Sequence, residues 1–247
     1  MELLGIIPAR YGSSRLPGKP LVDIGGKSMV QRVWERARAA DALARVLVAT
    51  DDERIVEHVR SFGGEAVMTR AEHPSGTDRC QEALLLAGGR FDGVVNIQGD
   101  EPFVAPEQIG EVADVLNGTG VDIATLVQVI QDDREIDDPG EAKVIVDHAM
   151  NAVLFSRAPI PYLRNPDGRP RHQQFRYLKH VGLYAYRAGA LARVVRLEPS
   201  PLERAESLEQ LRWLEAGLRI RVGLTEHPSF CVDTPADLEE ARRRVAH

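Results

Sequence analysis

Cysteine, long apolar runs and excess positive charge are scarce in this sequence, and each absence excludes a class of protein. Cys80 and Cys231 are its only cysteines and form no C-x-x-C pair, so neither a disulfide framework nor a cysteine-based zinc site is expected. No apolar run reaches the ~18 residues of a membrane span, and the first residues resemble no signal sequence. The net charge of −6 gives no electrostatic footprint for duplex nucleic acid. We therefore expect a cytoplasmic protein that binds neither membrane nor nucleic acid.

Apolar runs of strand length alternate with segments of helical period through the first half of the sequence. Strand, helix, strand, helix is the order that builds a doubly wound α/β sheet, so we predict that fold class with a mostly parallel sheet. The predicted strands are residues 3–7, 46–49, 66–68, 93–97 and 123–129. The predicted helices cover residues 29–37, 55–59 and 80–86.

The pattern changes between residues 141 and 186. Strand-like pieces surround a polar loop there, and we interpret this stretch as an inserted β region over the sheet and the active site. A helix at 203–216, a strand at 219–223 and a last helix then return to the α/β pattern. Because no Pro/Gly/Ser-rich linker separates these parts, we predict one domain over residues 1–247.

A glycine-rich turn carrying several cations follows the first predicted strand. It is not a Walker A loop, because five residues separate Gly12 from Gly18 and a proline follows Lys19. The turn nevertheless combines cationic and hydroxyl side chains with glycines that let backbone N–H groups approach a ligand, which suits a polyphosphate. The alternative is a solvated basic loop. The polar side chains of this stretch are Arg10, Ser13, Ser14, Arg15 and Lys19.

Asp100 follows the strand predicted at residues 93–97. Ligands of open α/β sheets bind beyond the carboxyl ends of the strands, so this carboxylate would face the cationic turn. Phosphate and carboxylate oxygens together favour a hard ion such as Mg²⁺. The alternative is that Asp100 caps the turn or the helix expected after Pro106.

Asp233 is a second candidate of the same kind, placed by prediction at the end of a short strand over residues 230–232. The residues after it, Thr234-Pro235 with Asp237, form a good helix start. On the residues alone, helix capping is the favoured interpretation of Asp233.

Two further polar clusters are open to more than one interpretation. Arg70, Ser75 and Thr77 precede a predicted helix, where they would contact a base or ribose, or would form an ordinary capped loop. His180 and Tyr184 share one face of a predicted strand by period-two alternation. That face would line a sugar pocket, or would be the solvated side of the strand.

Eight stretches that span the chain resemble, in order, those of the 3-deoxy-manno-octulosonate (Kdo) cytidylyltransferase family. They are IIPARYGSSRLPGKPL, VATDDERI, TRAEHPSGTDR, VVNIQGDEP, FSRAPIPY, YLKHVGLYAYR, SPLERAESLEQLRWLEAG and VDTPADLE. The resemblance implies a nucleotide-diphospho-sugar transferase-like fold. It also implies Mg²⁺-dependent transfer of CMP from CTP to the anomeric hydroxyl of Kdo, with release of pyrophosphate, for lipopolysaccharide synthesis. The implied assembly is a homodimer, with contacts in the inserted β region.

The resemblance also assigns roles to residues. Those implied for the CTP triphosphate are Arg10, Ser13, Arg15 and Lys19, and those implied near cytosine and ribose are Arg70, Ser75 and Thr77. Asp100 and Asp233 match the family's magnesium ligands and, with Arg15 and Lys19, its catalytic positions. Those implied around the sugar acid are Gln98, Arg157, His180, Tyr184, Glu209 and Gln210.

Other functions are alternatives to the one that this resemblance implies. A cytidylyltransferase for 8-amino-8-deoxy-Kdo shares nearly all of these stretches, and enzymes for sialic acid are more distant relatives. A non-catalytic nucleotide-binding regulator is the alternative from another class, and the retained acids and cations disfavour it. A dinucleotide oxidoreductase is disfavoured because the stretch at Gly118 has Ile123 where the third fingerprint glycine belongs.

Overall fold

The computed structural model describes residues 1–12 and 16–246 of the chain. Its strands are β1 (Leu3–Ala9), β2 (Asp23–Ile24), β3 (Lys27–Ser28), β4 (Arg45–Thr50), β5 (Ala66–Met68), β6 (Gly93–Asn96), β7 (Ile123–Val129), β8 (Lys143–Val146), β9 (Ala152–Ser156), β10 (Leu178–Arg187) and β11 (Ile220–Leu224). Its helices are α1 (Met29–Arg38), α2 (Glu53–Ser61), α3 (Gly76–Leu86), α4 (Pro106–Leu116), α5 (Asp133–Asp137), α6 (Arg171–Gln174), α7 (Ala188–Val194), α8 (Pro201–Glu206), α9 (Gln210–Glu215) and α10 (Pro235–Ala246).

One large sheet organises the described part of the chain. Its strand order is β11-β7-β10-β6-β1-β4-β5, with β8 attached to β10 and β9 attached to β8, while β2 and β3 form a separate small hairpin. Strand β1 pairs in parallel with β4 and β6, and β7 pairs in parallel with β11. Among the described strands of this sheet, the antiparallel pairings are those of β10 with β6, β7 and β8 and that of β8 with β9. The predicted doubly wound, mostly parallel α/β fold is confirmed.

Apolar side chains fill both faces of the sheet because successive strand residues point to opposite sides. On one face, Leu3 and Ile7 of β1 pack in a core cluster with Val33 of α1 and Val112 of α4. On the other face, the core cluster contains Ile6 of the same strand. It also holds Cys80 and Ala83 of α3, Leu191 of α7 and Trp213 of α9. Among the described residues, no helix is both long and apolar enough to cross a membrane.

The prediction of an inserted β region at residues 141–186 was wrong in its placement of β10. This strand lies in the middle of the main sheet, between β6 and β7, and among the described strands of that sheet the β8–β9 hairpin is the part attached outside the main order. Tyr184 and Tyr186 are therefore buried rather than solvated. The alternation of polar and apolar residues identified a strand, but it carries no information on which neighbours the strand selects.

Two predictions near the C-terminal end need correction. The single helix predicted over residues 203–216 is divided into α8 and α9 at Ser207, whose φ of 52° lies in the left-handed region. The segment 230–232 is irregular rather than a strand. The Val232 N–H nevertheless donates to the Asp100 carbonyl oxygen at 2.9 Å, which ties this segment to the chain after β6.

Two glycine-to-alanine substitutions should change stability in opposite directions. A Cβ on Gly93 would lie 2.5 Å from the Tyr186 carbonyl oxygen, whereas one on Gly110 of α4 would meet nothing within 4 Å. We expect Gly93→Ala to lower the free energy of unfolding by about 1–3 kcal/mol through overpacking. Gly110→Ala should raise it by about 0.5–1 kcal/mol, because alanine favours a helix interior. Urea unfolding of both variants measures this, and a shift of the same sign in both would contradict the packing described.

Candidate active site

A cavity of about 250 Å³ opens at the carboxyl ends of β1 and β6. The chain after β1 forms one wall, the chain after β6 forms another, and the N-terminus of α3 closes a third side. The sequence-predicted site residues that line it are Arg10, Lys19, Ser75, Gln98, Asp100 and Asp233. Predicted residues Ser13 and Arg15 lie outside the described residues.

Lys19 joins the two predicted acids at the floor of this cavity. Its Nζ lies 2.7 Å from Asp100 Oδ2 and 2.8 Å from Asp233 Oδ1. Burial alone would lower the pKa of Lys19, but the charge of Asp100 and the hydrogen bonds to both carboxylates outweigh it and raise that pKa. The side chain therefore stays an ammonium ion, and the two carboxylates converge on one positive charge.

The starts of α4 and α10 have hydrogen bonds that do not use the carboxylates of Asp100 and Asp233. The residue that precedes α4 as its N-cap is Ala105 rather than Asp100. At α10, Thr234 Oγ1 accepts from the Asp237 N–H at 3.3 Å, and Asp237 Oδ2 accepts from the Thr234 N–H at 2.8 Å. This reciprocal pair satisfies the helix start. The Asp233 carboxylate is left to face the cavity.

The donor set around Asp100 and Asp233 fits a hard divalent cation. Ligand atoms of Asp100, Asp233 and Cys231 all lie within 4.8 Å of one another. Carboxylate oxygens are the protein ligands that Mg²⁺ prefers, and one or two of them usually suffice beside phosphate and water. The thiol of Cys231 is a soft ligand that Mg²⁺ does not favour, so the two acids alone are the candidates.

The N-terminus of α3 and the N-terminal end of α9 are tied together by one carboxylate. Glu209 accepts from Ser75 Oγ at 3.1 Å and from Thr77 Oγ1 at 2.9 Å, and it also pairs with Arg212. Burial raises the pKa of Glu209, although Arg212 and the two hydroxyls offset part of this effect. Ser75 is also the N-cap of α3, as the loop interpretation predicted. Arg70 is not brought in, because its side chain is 74% exposed and pairs with Glu82.

Of the residues predicted around the sugar acid, Gln98 lines the cavity and Glu209 contacts its lining residue Ser75, whereas Arg157, His180, Tyr184 and Gln210 are not among the lining residues. Gln98 Nε2 donates to the Gly182 carbonyl oxygen at 2.9 Å. His180 Nε2 lies 3.0 Å from Thr125 Oγ1, and burial lowers the pKa of His180 to about 4. Tyr184 packs between the rings of His180 and Trp213.

Arg157 and Gln210 have contrasting polar environments. Arg157 directs its guanidinium at backbone, with Nη1 donating to the Pro139 carbonyl oxygen at 2.7 Å and Nε to that of Glu206 at 2.8 Å. Gln210 is buried, and its Nε2 has no hydrogen-bond partner among the described residues. A buried amide nitrogen without a partner costs free energy, so Gln210 is the better placed of the two to receive a ligand oxygen.

Sequence reasoning missed two polar groups in or beside this site. Arg79 lines the cavity although its side chain is only 4% exposed, and its Nη2 lies 3.1 Å from Asp51 Oδ2 at the end of β4. Glu101 is buried next to Asp100, and burial raises its pKa to about 7 against the hydrogen bond from Ser229. An arginine directly before the apolar Cys80, where the predicted helix 80–86 begins, was the available signal for Arg79. Adjacent acids in a single strand-end turn were the signal for Glu101.

The fold and the cavity define a class of enzyme. The protein-family model described as Cytidylyltransferase matches residues 4–220. A cationic and acidic pocket beyond the carboxyl ends of parallel strands is where such a fold binds its ligand. The chain is thus a cytidylyltransferase by class.

Curated relatives narrow this class. The 3-deoxy-manno-octulosonate cytidylyltransferase of Parabacteroides distasonis is 48% identical over 251 residues, covering 100% of this chain and 99% of the relative. The protein of the same name from Rhodopseudomonas palustris is 52% identical, covering 98% of this chain and 97% of the relative. The chain belongs to the 3-deoxy-manno-octulosonate cytidylyltransferase family, which confirms the resemblance found in its sequence.

Solved structures agree with this assignment. The structure of a CMP:2-keto-3-deoxy-manno-octonic acid synthetase complexed with CTP superposes with a TM-score of 0.92 at 45% identity, covering 100% of this chain and 99% of that one. A 4-diphosphocytidyl-2C-methyl-D-erythritol synthase from Anaerococcus prevotii superposes with a TM-score of 0.65 at 12% identity over 100% and 99% of the two chains. The second likeness shows a shared fold alone.

The low pKa of His180 predicts a specific loss of stability in acid. The folded chain leaves this imidazole neutral down to about pH 4, whereas the unfolded chain protonates it near its ordinary pKa of 6.5. Stability therefore falls as the pH drops from 6.5 towards 4, by about 2 kcal/mol at pH 5. We expect His180→Gln to abolish this part of the pH dependence in urea unfolding at pH 7 and pH 5. His148→Gln, in an exposed turn, is the control, and equal pH dependence in wild type and His180→Gln would contradict the prediction.

Proposed function

We propose that this chain transfers CMP from CTP to the anomeric hydroxyl of Kdo and releases pyrophosphate. The observation that carries the proposal is the convergence of Lys19, Asp100 and Asp233 in one cavity at the carboxyl edge of the sheet. Relatives that match the chain over its whole length bear the name of this activity. The solved relative with the TM-score of 0.92 is described as complexed with CTP, which supports CTP as the nucleotide.

In this proposal the cationic turn binds the triphosphate. Arg10 and Lys19 both line the cavity, and Ser75 and Gly76 at the start of α3 line it from the opposite side. A guanidinium and an ammonium complement phosphate oxygens, and the first N–H groups of an eleven-residue helix favour negative charge. The family resemblance implies that Ser13 and Arg15 would also bind the triphosphate.

We propose Asp100 and Asp233 as the ligands of Mg²⁺. The two carboxylates would hold the ion, which would supply positive charge near the α-phosphate and would acidify the sugar hydroxyl. The ammonium of Lys19 already bridges the same two oxygens, so the carboxylates are arranged around a cation before any substrate binds. The four-carbon stem of Lys19 lets its ammonium exchange a carboxylate for the departing pyrophosphate.

The catalytic contribution of the chain is then positioning and electrostatic stabilisation. His180 is a poor general base, because burial holds its pKa at about 4 and Thr125 occupies its Nε2. The roles of Tyr184, Glu209 and Gln210 around Kdo stay predictions, supported by the partnerless amide nitrogen of Gln210. Arg157 would have to release backbone carbonyls before it bound the sugar carboxylate.

The activity assay separates the proposed sugar from the alternatives. Purified protein with CTP and Mg²⁺ should release pyrophosphate when Kdo is supplied, and excess chelator should stop the release. Release with 8-amino-8-deoxy-Kdo or N-acetylneuraminate, and none with Kdo, would contradict the proposed substrate. CTP binding without turnover on any of the three sugars would favour a regulatory protein.

Variants in the same assay test the acids. We expect Asp100→Asn and Asp233→Asn to lower turnover by about 10²- to 10³-fold, because each removes one charge at the reacting phosphate. Asp41→Asn is the matched control, since Asp41 is exposed before β4 at the opposite edge of the sheet. Normal Mg²⁺-dependent turnover by Asp100→Asn would contradict the metal role.

We further propose a homodimer that supplies lipopolysaccharide synthesis, in a reducing compartment consistent with two free cysteines. Support for the dimer comes from exposed apolar residues on neighbouring edge strands. Val153 of β9 is 59% exposed and Leu224 of β11 is 40% exposed, and Asn151 and Arg221 bridge the two segments.

Light scattering at micromolar concentration tests the assembly. The wild type should have twice the mass of one chain, and Val153→Asp should shift it towards the monomer because it places a charge in the apolar contact. Leu85→Asp on α3, where the leucine is 74% exposed, is the control and should stay dimeric. A monomeric wild type would contradict the proposed dimer.

A further inference from the structure

The base of the cationic turn is closed by contacts between Tyr11 and Gly18. The Gly18 N–H donates to the Tyr11 carbonyl oxygen at 3.3 Å. Gly18 has a φ of 67°, and a Cβ placed on it would lie 3.3 Å from Tyr11 Oη. The tyrosine ring therefore packs directly against the glycine, so the residues just before and just after the turn are held together.

The same ring is contacted by a cation from α2. The Arg54 guanidinium carbon lies 3.5 Å from the centre of the Tyr11 ring, within the range of a cation–π interaction. Asp52, the N-cap of α2, accepts from Arg54 Nε at 2.8 Å and from Nη2 at 2.6 Å. These two bonds fix the plane of the guanidinium, so Arg54 presents a rigid surface to the ring rather than a mobile charge.

The pairing of Asp52 with Arg54 recurs elsewhere in the chain without a ring. Asp132 precedes α5 and accepts from Arg134 N and from Arg134 Nε at 2.9 Å each, in the same aspartate-x-arginine spacing. The Arg134 side chain is 91% exposed, whereas that of Arg54 is 59% exposed. This local aspartate–arginine clasp therefore forms without a ring, and the contact with Tyr11 is what distinguishes Arg54 from Arg134.

Both residues that flank this closed base reach the cavity. Arg10 precedes Tyr11 and Lys19 follows Gly18, and each lines the site. The backbone continues from Gly18 into a short 3-10 turn, in which the Leu21 N–H donates to the Gly18 carbonyl oxygen at 2.8 Å. The position of Tyr11 therefore sets the backbone positions from which the Arg10 and Lys19 side chains extend.

We propose that Arg54 is a positioning residue for nucleotide binding, which clamps the Tyr11 ring on Gly18 and so holds Arg10 and Lys19 towards the cavity. This inference rests on the proposed function, because it takes CTP as the ligand of the turn. Arg54 acts through Tyr11 and touches no substrate. Its loss should weaken CTP binding while the chemical step and the fold remain intact.

The test measures CTP affinity by calorimetry and splits KM from kcat in the pyrophosphate assay. An exposed cation–π contact contributes about 0.5–1 kcal/mol, so Arg54→Ala should raise the Kd and the KM for CTP by about two- to fivefold. The kcat and the melting temperature should stay close to wild type. Tyr11→Phe should bind CTP normally, because it keeps the ring. In a Tyr11→Ala background, Arg54→Ala should cause no further loss.

Two control variants separate this role from simpler effects. Arg134→Ala removes the same clasp where no ring is present, and it should leave CTP affinity unchanged. Arg60→Ala removes a charge from the same helix, where Arg60 is 64% exposed beside Glu53, and it should also leave the affinity unchanged. Arg54→Ala with wild-type affinity, or an equal loss in Arg60→Ala, would overturn the positioning role. A wild type that binds no CTP would overturn the proposed function together with it.

Discussion

The ammonium of Lys19 between two carboxylates is the interaction on which the site depends. Asp100 and Asp233 would repel each other at this separation without a positive charge between them. The three residues come from distant parts of the chain, so their meeting requires the turn after β1, the turn after β6 and the entry to α10 to be placed correctly together. The charges in the cavity are therefore balanced only when the tertiary structure is correct.

Backbone interactions of the irregular segments make that meeting possible. The bond from Val232 N–H to the Asp100 carbonyl brings the last segment alongside the chain after β6. The reciprocal Thr234–Asp237 pair completes the start of α10 without using the Asp233 carboxylate. In the proposed function, Asp233 acts in the cavity, while the neighbouring Thr234 and Asp237 form the start of the helix.

The sequence predicted local structure and chemistry better than tertiary neighbours. Strands β5 and β7 were predicted at their observed bounds, because apolar β-branched runs bounded by polar residues are local signals. The position of β10 was not predictable in this way, since pairing is chosen by the whole sheet. The break at Ser207 was not predictable either, because neither the composition nor the helical period of residues 203–216 changes there. The Glu209 contacts with Ser75 and Thr77 join residues more than 130 positions apart, which no local pattern reports.

The central place of β10 sets an order of events in folding. Strand β6 ends at Asn96, yet one of its two partners begins only at Leu178, and β7 meets the same late strand on the other side. A chain emerging from the ribosome therefore carries the half-sheet β6-β1-β4-β5 and an unpaired β7 until β10 arrives, with their apolar edges exposed to wrong pairing. Contacts so distant in sequence fold slowly. Asp233, which completes the pair with Asp100, comes later still in the chain. A truncated chain that keeps most of the sheet therefore lacks the assembled cavity around Lys19.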